Sequence, residues 1–291
     1  MDPIIPVALA TEHIQGLTPA TKRAVFLHGM LGRGNNLRTI ARRFVEKRPG
    51  WDAWLLDLRG HGASTKGSPG PSLQAAAEDV IARCHDSLPV GALIGHSFGG
   101  KVALQAAQRA LSSIEQAAHT SPLRRLEHVV LLDSNPGVRS PTELQGKDSV
   151  LAVLQMLRAL SSPFPSRAAF IAAVQQQGHS PTLAQWLAQS TVSTADGRVR
   201  FALDLDELQA LLLSYLTCDL WPVVEQPPAG LKLHIVIGGR STSYSPADRD
   251  RVADIAHRNP RVTVDVLATD HWVHAEDPDG LLLRLFSYIG S

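Results

Sequence analysis

The chain has 291 residues and only two cysteines, Cys84 and Cys218. Two thiols cannot build a disulfide framework or a cysteine-rich zinc site. Both lie in apolar, helix-like surroundings and read as buried free thiols. An excess of one charge is also missing: 28 Lys and Arg against 27 Asp and Glu leave +1 with histidine neutral. A chain balanced this closely has no global field with which to hold nucleic acid or an acidic membrane. No apolar run reaches the roughly 18 residues that a membrane span needs. The stretch from Met1 to Ala10 has no basic start and is interrupted by Pro3 and Pro6, so it does not read as a signal peptide. The expectation is a soluble cytoplasmic protein. The glycine-rich turns do not form the G-x-x-x-x-G-K-S/T phosphate loop, so no nucleotide site is read and no metal or organic cofactor is called for.

What is present is globular: 44% hydrophobic and 19% charged residues. The length suggests one large domain, or a core carrying an insertion. Strand-like runs alternate with helical ones along the first half. Ala24 to Leu27 is a short apolar run ending at His28-Gly29, and Leu37 to Val45 has helical spacing. Ala53 to Leu58 ends at Arg59-Gly60-His61-Gly62, and Leu73 to Leu88 reads as a helix. Ala92 to Ile94 is a buried strand, Phe98 to Ala118 a long Ala-rich helix, and Val129 to Leu132 a strand ending at Asp133. This alternation implies an α/β fold with a parallel sheet covered by helices on both faces.

The rhythm breaks between Pro136 and Pro228. There Leu144 to Leu160, Ser166 to Gln177, Thr182 to Ser190 and Leu205 to Leu216 read as helices, and no strand is apparent. Strands resume at Leu231 to Ile237 and Val262 to Leu267, with helices near Pro246 to His257 and Pro278 to Tyr288. The division implied is a core of residues 1–135 and 229–291 with a helical cap, 136–228, over the carboxyl edge of the sheet. That edge is where open parallel sheets carry their sites.

The sharpest motif is Gly95-His96-Ser97-Phe98-Gly99-Gly100, set between the buried strand and the Ala-rich helix. G-x-S-x-G in a strand–turn–helix context is a nucleophile elbow. Ser97 has to take a strained backbone conformation to point its hydroxyl out of the turn, and a Cβ at 95 or 99 would strike the neighbouring strand and helix. The helix N-terminus adds free amides and a positive dipole end, which favour a developing oxyanion.

With this motif the chain resembles the α/β-hydrolase superfamily over nearly its whole length. Phe26-Leu27-His28-Gly29-Met30-Leu31-Gly32 looks like the oxyanion-hole segment of that superfamily. Asp57-Leu58-Arg59-Gly60-His61-Gly62-Ala63-Ser64 looks like the turn after its next strand, and His271-Trp272-Val273-His274 like its histidine loop. Within the superfamily it is most similar to the small esterase branch of bacteria and mitochondria, through Gly-His-Ser-Phe-Gly-Gly-Lys and Gly238-Gly239-Arg240-Ser241.

The resemblance implies an ordered set of serine, acid and histidine. The oxyanion donors would be the amides of Phe98 and Met30. His271 matches the base, although Asp270 stands where the family has glycine. His274 reads as a supporting residue, since nothing nearby completes a His-x-x-His metal set. His28 reads as a structural histidine and Asp57 as a stabiliser of its own turn. Asp204 and Asp206 read as the start of a cap helix. The acid is open between two positions: Asp133, closing its strand, is the first choice, and Asp248 is the alternative. Met156, Phe164, Phe170, Trp186 and Trp221 are candidates for an acyl pocket. Arg158 and Arg167 are the cations a charged leaving group such as coenzyme A would need.

The expected activity is hydrolysis of small-molecule carboxylic esters with small to medium acyl chains. An acyl-thioester hydrolase and C–C bond hydrolysis or cofactor-free perhydrolysis on the same triad are alternatives. A non-catalytic ligand-binding protein on the same fold is the alternative of another class.

Overall fold

The computed structural model describes residues 4–64, 70–85, 88–112, 121–141, 146 and 149–290. A seven-stranded sheet runs through the centre. Its strands are β1 (Thr11–Ile14), β2 (Lys22–Leu27), β3 (Trp51–Leu56), β4 (Val90–His96), β5 (His128–Leu132), β8 (Lys232–Gly238) and β9 (Val262–Leu267). In space they lie in the order β1-β3-β2-β4-β5-β8-β9. Only β1 is antiparallel to its neighbour; every other pairing in this sheet is parallel. The sequence pattern does not mark β1. It is a four-residue edge strand, half-buried and largely polar, and so lacks the apolar run that marks the central strands.

The sheet is buried on both faces because its strands are apolar at consecutive positions, not only at alternate ones. Val25 and Leu27 of β2 face one core with Leu93, Val129, Leu131, Leu233 and Ile235. Ala24 and Phe26 face the other with Ala92, Ile94, Val130 and Val236. Helices α1 (Arg38–Lys47) and α11 (Pro278–Tyr288) cover this second face. In α1 the buried residues are Ile40, Ala41, Phe44 and Val45, one stripe of an amphipathic helix, and Phe44 packs edge-on to Phe26 at 6.2 Å. The first face takes α2 (Leu73–Arg83), α3 (Phe98–Ser112) and α9 (Pro246–Arg258). The parts of the expected helices at 86–87, 113–118, 144–145 and 147–148 lie outside the described residues.

The segment between β5 and β8 carries α4 (Val150–Ala159), α5 (Arg167–Gln176), α6 (Pro181–Ala188), α7 (Leu205–Thr217) and α8 (Trp221–Glu225). The expectation of an all-helical insertion needs correction. A two-stranded antiparallel hairpin, β6 (Thr191–Ser193) with β7 (Val199–Phe201), follows α6. Its strands have three residues each, too short to show an alternation in sequence. Helix starts are well marked: the hydroxyls of Ser149, Ser166 and Ser180 accept from the amide three residues on, a cap worth about 1 kcal/mol. Asp204 caps α7 in the same way, and Asp206 follows in its first turn. A short helix, α10 (Val273–Glu276), sits between β9 and α11.

Cys84 is buried as expected, but Cys218 is only half-buried at the end of α7, with its Sγ 3.5 Å from Gln105 Oε1. Among the described residues, no helix is long and apolar enough to cross a membrane.

Candidate active site

Chain order and sheet order diverge at β2 and β4. From β2 the chain moves outward to β3, then returns to lay β4 on the other side of β2. Such a switch point opens a crevice at the carboxyl ends of the two strands. Ser97 stands at the end of β4, and the loop with Met30 at the end of β2.

The elbow is as tight as its glycines demand. A Cβ at Gly95 would sit 2.2 Å from Gly99 O, and one at Gly99 would sit 2.4 Å from Leu27 O. Ser97 has a φ of 51°, Asp133 of 45° and Leu31 of 65°; these are the non-glycine residues with positive φ among those described. Each follows a strand at the crevice, so backbone strain collects where chemistry would occur. Sheet register then places Asp133. His96 pairs with Leu132 and Leu132 with Val236. One residue further, Ser97 N–H donates to Leu132 O at 2.9 Å and Asp133 N–H to Val236 O at 2.7 Å.

Asp133 Oδ2 lies 2.7 Å from His271 Nδ1, with the carboxylate fully buried and the imidazole 37% exposed. The other carboxylate oxygen accepts from Gly238 N–H at 2.9 Å. Ser241 Oγ donates to Asp133 Oδ2 at 2.5 Å, and Ser243 Oγ is 3.1 Å from His271 Nδ1. Burial alone would raise the Asp133 carboxyl, but the hydrogen bond and charge of His271, the Ser241 hydroxyl and the Gly238 amide together hold it below its ordinary value. Asp248, the alternative acid, is spent elsewhere: it forms the capping box of α9 with Ser245 and accepts from Asn135 Nδ2 at 3.0 Å. Asp270 meets Arg240 at 3.3 Å, on a surface that also takes Glu276.

Two buried histidines shape the β2 loop. Leu58 N–H donates to His28 Nε2 at 2.9 Å, so the His28 proton is on Nδ1, which donates to Gly29 O at 2.7 Å. In the same sense Leu31 N–H donates to His61 Nε2 at 3.0 Å, and His61 Nδ1–H reaches Arg59 O at 2.8 Å. Each needs a bare acceptor nitrogen and so must be neutral. Burial drives His28 down to about 4 and His61, with the further repulsion of His28, to about 3. Asp57 accepts from the amides of Gly34 and Ala63, both at 2.8 Å, and ties the two loops together. A buried bidentate pair, Arg59 with Asp79, holds the second loop to α2.

Ser97, His271, Met30 and Phe98 line one cavity of about 460 Å³. Phe98 opens α3, so its amide has no carbonyl to bond within the helix. The insertion contributes Val150, Val153, Leu183, Trp186, Leu212 and Tyr215 to the walls. Of the aromatic and sulfur side chains read as acyl-pocket candidates, only Trp186 is among the lining residues; Met156, Phe164, Phe170 and Trp221 are buried packing. Arg158 is taken by Asp206 and Gln209, and Arg167 by Ala188 O. His274 is buried against His96, with ring centroids 4.6 Å apart. Among the described residues no group of three His, Cys, Asp or Glu side chains is placed to hold a metal ion. Sequence reasoning missed Ser241, Ser243 and Tyr215. The run of hydroxyls after β8 was the available signal for the first two.

Residues 24–283 match the model of the alpha/beta hydrolase family. The chain belongs to that family. It is 26% identical over 269 residues to an sn-1-specific diacylglycerol lipase of Mus musculus, spanning 91% of this chain and 80% of the lipase. It is 28% identical over 268 residues to the esterase YbfF of Escherichia coli strain K12, spanning 91% and 92%. Among solved structures, a marine microorganism esterase superposes with a TM-score of 0.74 at 20% identity, over 97% of this chain and all 100% of that one. The family and these relatives support a hydrolase of the esterase or lipase type.

Proposed function

We propose that the chain hydrolyses carboxylic esters of small to medium acyl chains through Ser97, His271 and Asp133. The observation that carries this reading is the 2.7 Å contact of His271 Nδ1 with buried Asp133, at the rim of a cavity that Ser97 also lines. Asp133 holds the His271 proton on Nδ1, leaving Nε2 as the base. Ser97 Oγ attacks the ester carbonyl as Nε2 takes its proton. The oxyanion is met by the amides of Phe98 and Met30. His271 then hands the proton to the leaving alcohol. A water deprotonated by the same Nε2 attacks the acyl-enzyme and frees the acid and Ser97.

Residues 136–228 serve as the cap and the rest as the core. The cap's contribution to the cavity is chiefly Val, Leu and aromatic, which suits an alkyl chain. Arg158 and Arg167 are engaged in the cap itself, and the arginines that line the cavity are engaged too, Arg139 with Thr242 O and Arg240 with Asp270 and Glu276, which favours the ester reading over coenzyme A thioesters. The test is turnover of p-nitrophenyl esters of graded acyl length, beside matching acyl-CoAs, by the wild type and Ser97→Ala. The variant should lose about 10⁴-fold or more in kcat and should not label with a fluorophosphonate. Retained turnover in Ser97→Ala would remove the serine from the reaction.

A further inference from the structure

Lys101 lies four residues beyond Ser97 on α3 and is 1% exposed. A buried ammonium costs several kcal/mol unless its protons are met. Here they are met by main chain: Nζ donates to Gly137 O at 2.7 Å and to Tyr215 O at 2.8 Å. It also lies 4.6 Å from the centroid of the Tyr215 ring. Gly137 is on the segment by which the chain leaves the sheet for the insertion. Tyr215 is in the last turn of α7, where the chain comes back. The same crossing is closed by Arg139 N–H to Leu216 O at 2.9 Å and Leu220 N–H to Pro136 O at 2.8 Å. One cation on the nucleophile's own helix therefore holds both passages between sheet and insertion. Tyr215 is more than an anchor: it lines the cavity, and its ring packs 6.1 Å from that of Phe98.

We propose that Lys101 is a positioning residue for substrate binding, fixing the hinge of the cap and with it the Tyr215 wall of the cavity. The proposal rests on the reading of Ser97 as nucleophile. It concerns how the acyl chain is held and not the attacking hydroxyl, whose geometry is set by the glycines of the elbow. Burial brings the Lys101 ammonium down to about 8, against the pull of Cys218 and Asp219 and with a push from Arg139. Cys218, Asp219, Arg139 and Tyr215 are the charged and titratable groups around it. Burial raises Tyr215 to about 12 and raises the Cys218 thiol. Between about pH 7 and pH 9, loss of the Lys101 proton weakens both carbonyl bonds, since charge-assisted bonds are roughly twice as strong as neutral ones.

The experiment compares wild type with Lys101→Met on p-nitrophenyl butyrate and octanoate, and follows Ser97 labelling by a small fluorophosphonate. In the variant, KM for octanoate should rise about tenfold while kcat and the labelling rate stay within about twofold. In the wild type, that KM should rise about threefold from pH 7 to pH 9, and in Lys101→Met it should be flat. A wild-type KM in the variant, an alkaline rise that persists in it, or an equal fall of kcat and labelling would each overturn the proposal. If Lys101→Met does not fold, Lys101→Gln is judged by the same criteria. If that variant does not fold either, the wild-type pH profile decides, and a flat one overturns it. Failure of the wild type to label at all would instead sink the serine mechanism beneath it.

Discussion

The Nε2–H of His96 donates to the main-chain carbonyl of His271 at 2.9 Å, and the two rings lie 4.7 Å apart. The residue before Ser97 thus holds the loop that carries His271, across 175 positions of sequence. Burial and the neighbouring His274 and His271 keep His96 well below its ordinary pKa, so it stays neutral, with one proton to give.

Replacing His96 by Ala therefore removes a link within the site and leaves all three proposed triad residues in place. The expected result is a fall of about tenfold in kcat, the worth of about one net hydrogen bond, with KM changed by less than about twofold. Steady-state kinetics on a short p-nitrophenyl ester would measure it. An unchanged kcat would mean that His271 is oriented by Asp133 and its own loop alone.

Asp133 and Asp248 separate cleanly as variants. Asp133→Asn leaves His271 facing an amide and should cost about 10⁴-fold in kcat, as loss of the orienting carboxylate does in serine hydrolases. Asp248→Ala breaks the capping box of α9 and its bond from Asn135, so it should lower stability by about 1 kcal/mol with kcat near wild type. Thermal melts and esterase rates on the same two preparations would show it. A large rate loss confined to Asp248→Ala would transfer the acid role.

The residues legible in the sequence were those whose identity local sterics dictates. Gly95 and Gly99 are required within three residues of Ser97 because backbone passes at 2.2 Å and 2.4 Å from where their Cβ atoms would lie. The central strands were legible because burial on both faces makes them continuously apolar. What depends on contacts between distant segments was not. Ser241 and Ser243 reach the His271–Asp133 pair only because β8 lies between β5 and β9 in the sheet. Lys101 enters the sequence reading only as the end of the Gly-His-Ser-Phe-Gly-Gly-Lys stretch, and its carbonyl partners on Gly137 and Tyr215 lie far along the chain. The same holds for the insertion: Phe170 and Trp186 are equally plausible pocket residues in sequence, and packing assigns the first to the interior and the second to the cavity wall.

Trp186 meets Trp272 edge to face at 4.9 Å, joining α6 of the insertion to the residue after His271. Both line the cavity. Trp186→Ala opens that wall without touching the proposed triad. The ratio of kcat/KM for p-nitrophenyl dodecanoate over butyrate should rise, by about tenfold, the range a few methylenes of extra apolar contact supply. A ratio that stays fixed would place the acyl chain against another wall.

The Arg59–Asp79 pair is fully buried, and Asp79 also accepts from Val7 N–H at 2.7 Å. Asp79→Asn leaves the guanidinium without its counter-charge inside the protein. Breaking a buried pair from one side costs about 3–5 kcal/mol, which urea unfolding would register as a lower midpoint at unchanged slope. A loss under about 1 kcal/mol would mean that water or rearrangement supplies a substitute.

Acid should unfold the protein earlier than its carboxylates alone would. Burial, the largest cause in each case, lowers His28, His128 and His274 to about 4 and His61 and His234 to about 3. In the unfolded chain these imidazoles titrate near about 6.5. Below that pH the unfolded state binds more protons than the native one, so stability falls as pH falls and the loss levels off only once the native histidines titrate. Each such group contributes a slope of up to about 1.4 kcal/mol per pH unit. Urea unfolding at about pH 7, 6 and 5 should therefore show a loss growing to several kcal/mol per pH unit. His28 and His61 add a functional consequence, because protonation at Nε2 would eject the Leu58 and Leu31 amides that shape the loop around Met30. Replacing His61 by Gln, which keeps an acceptor but cannot titrate, should flatten the acid limb by about one proton. An identical limb in that variant would show that His61 does not contribute to it.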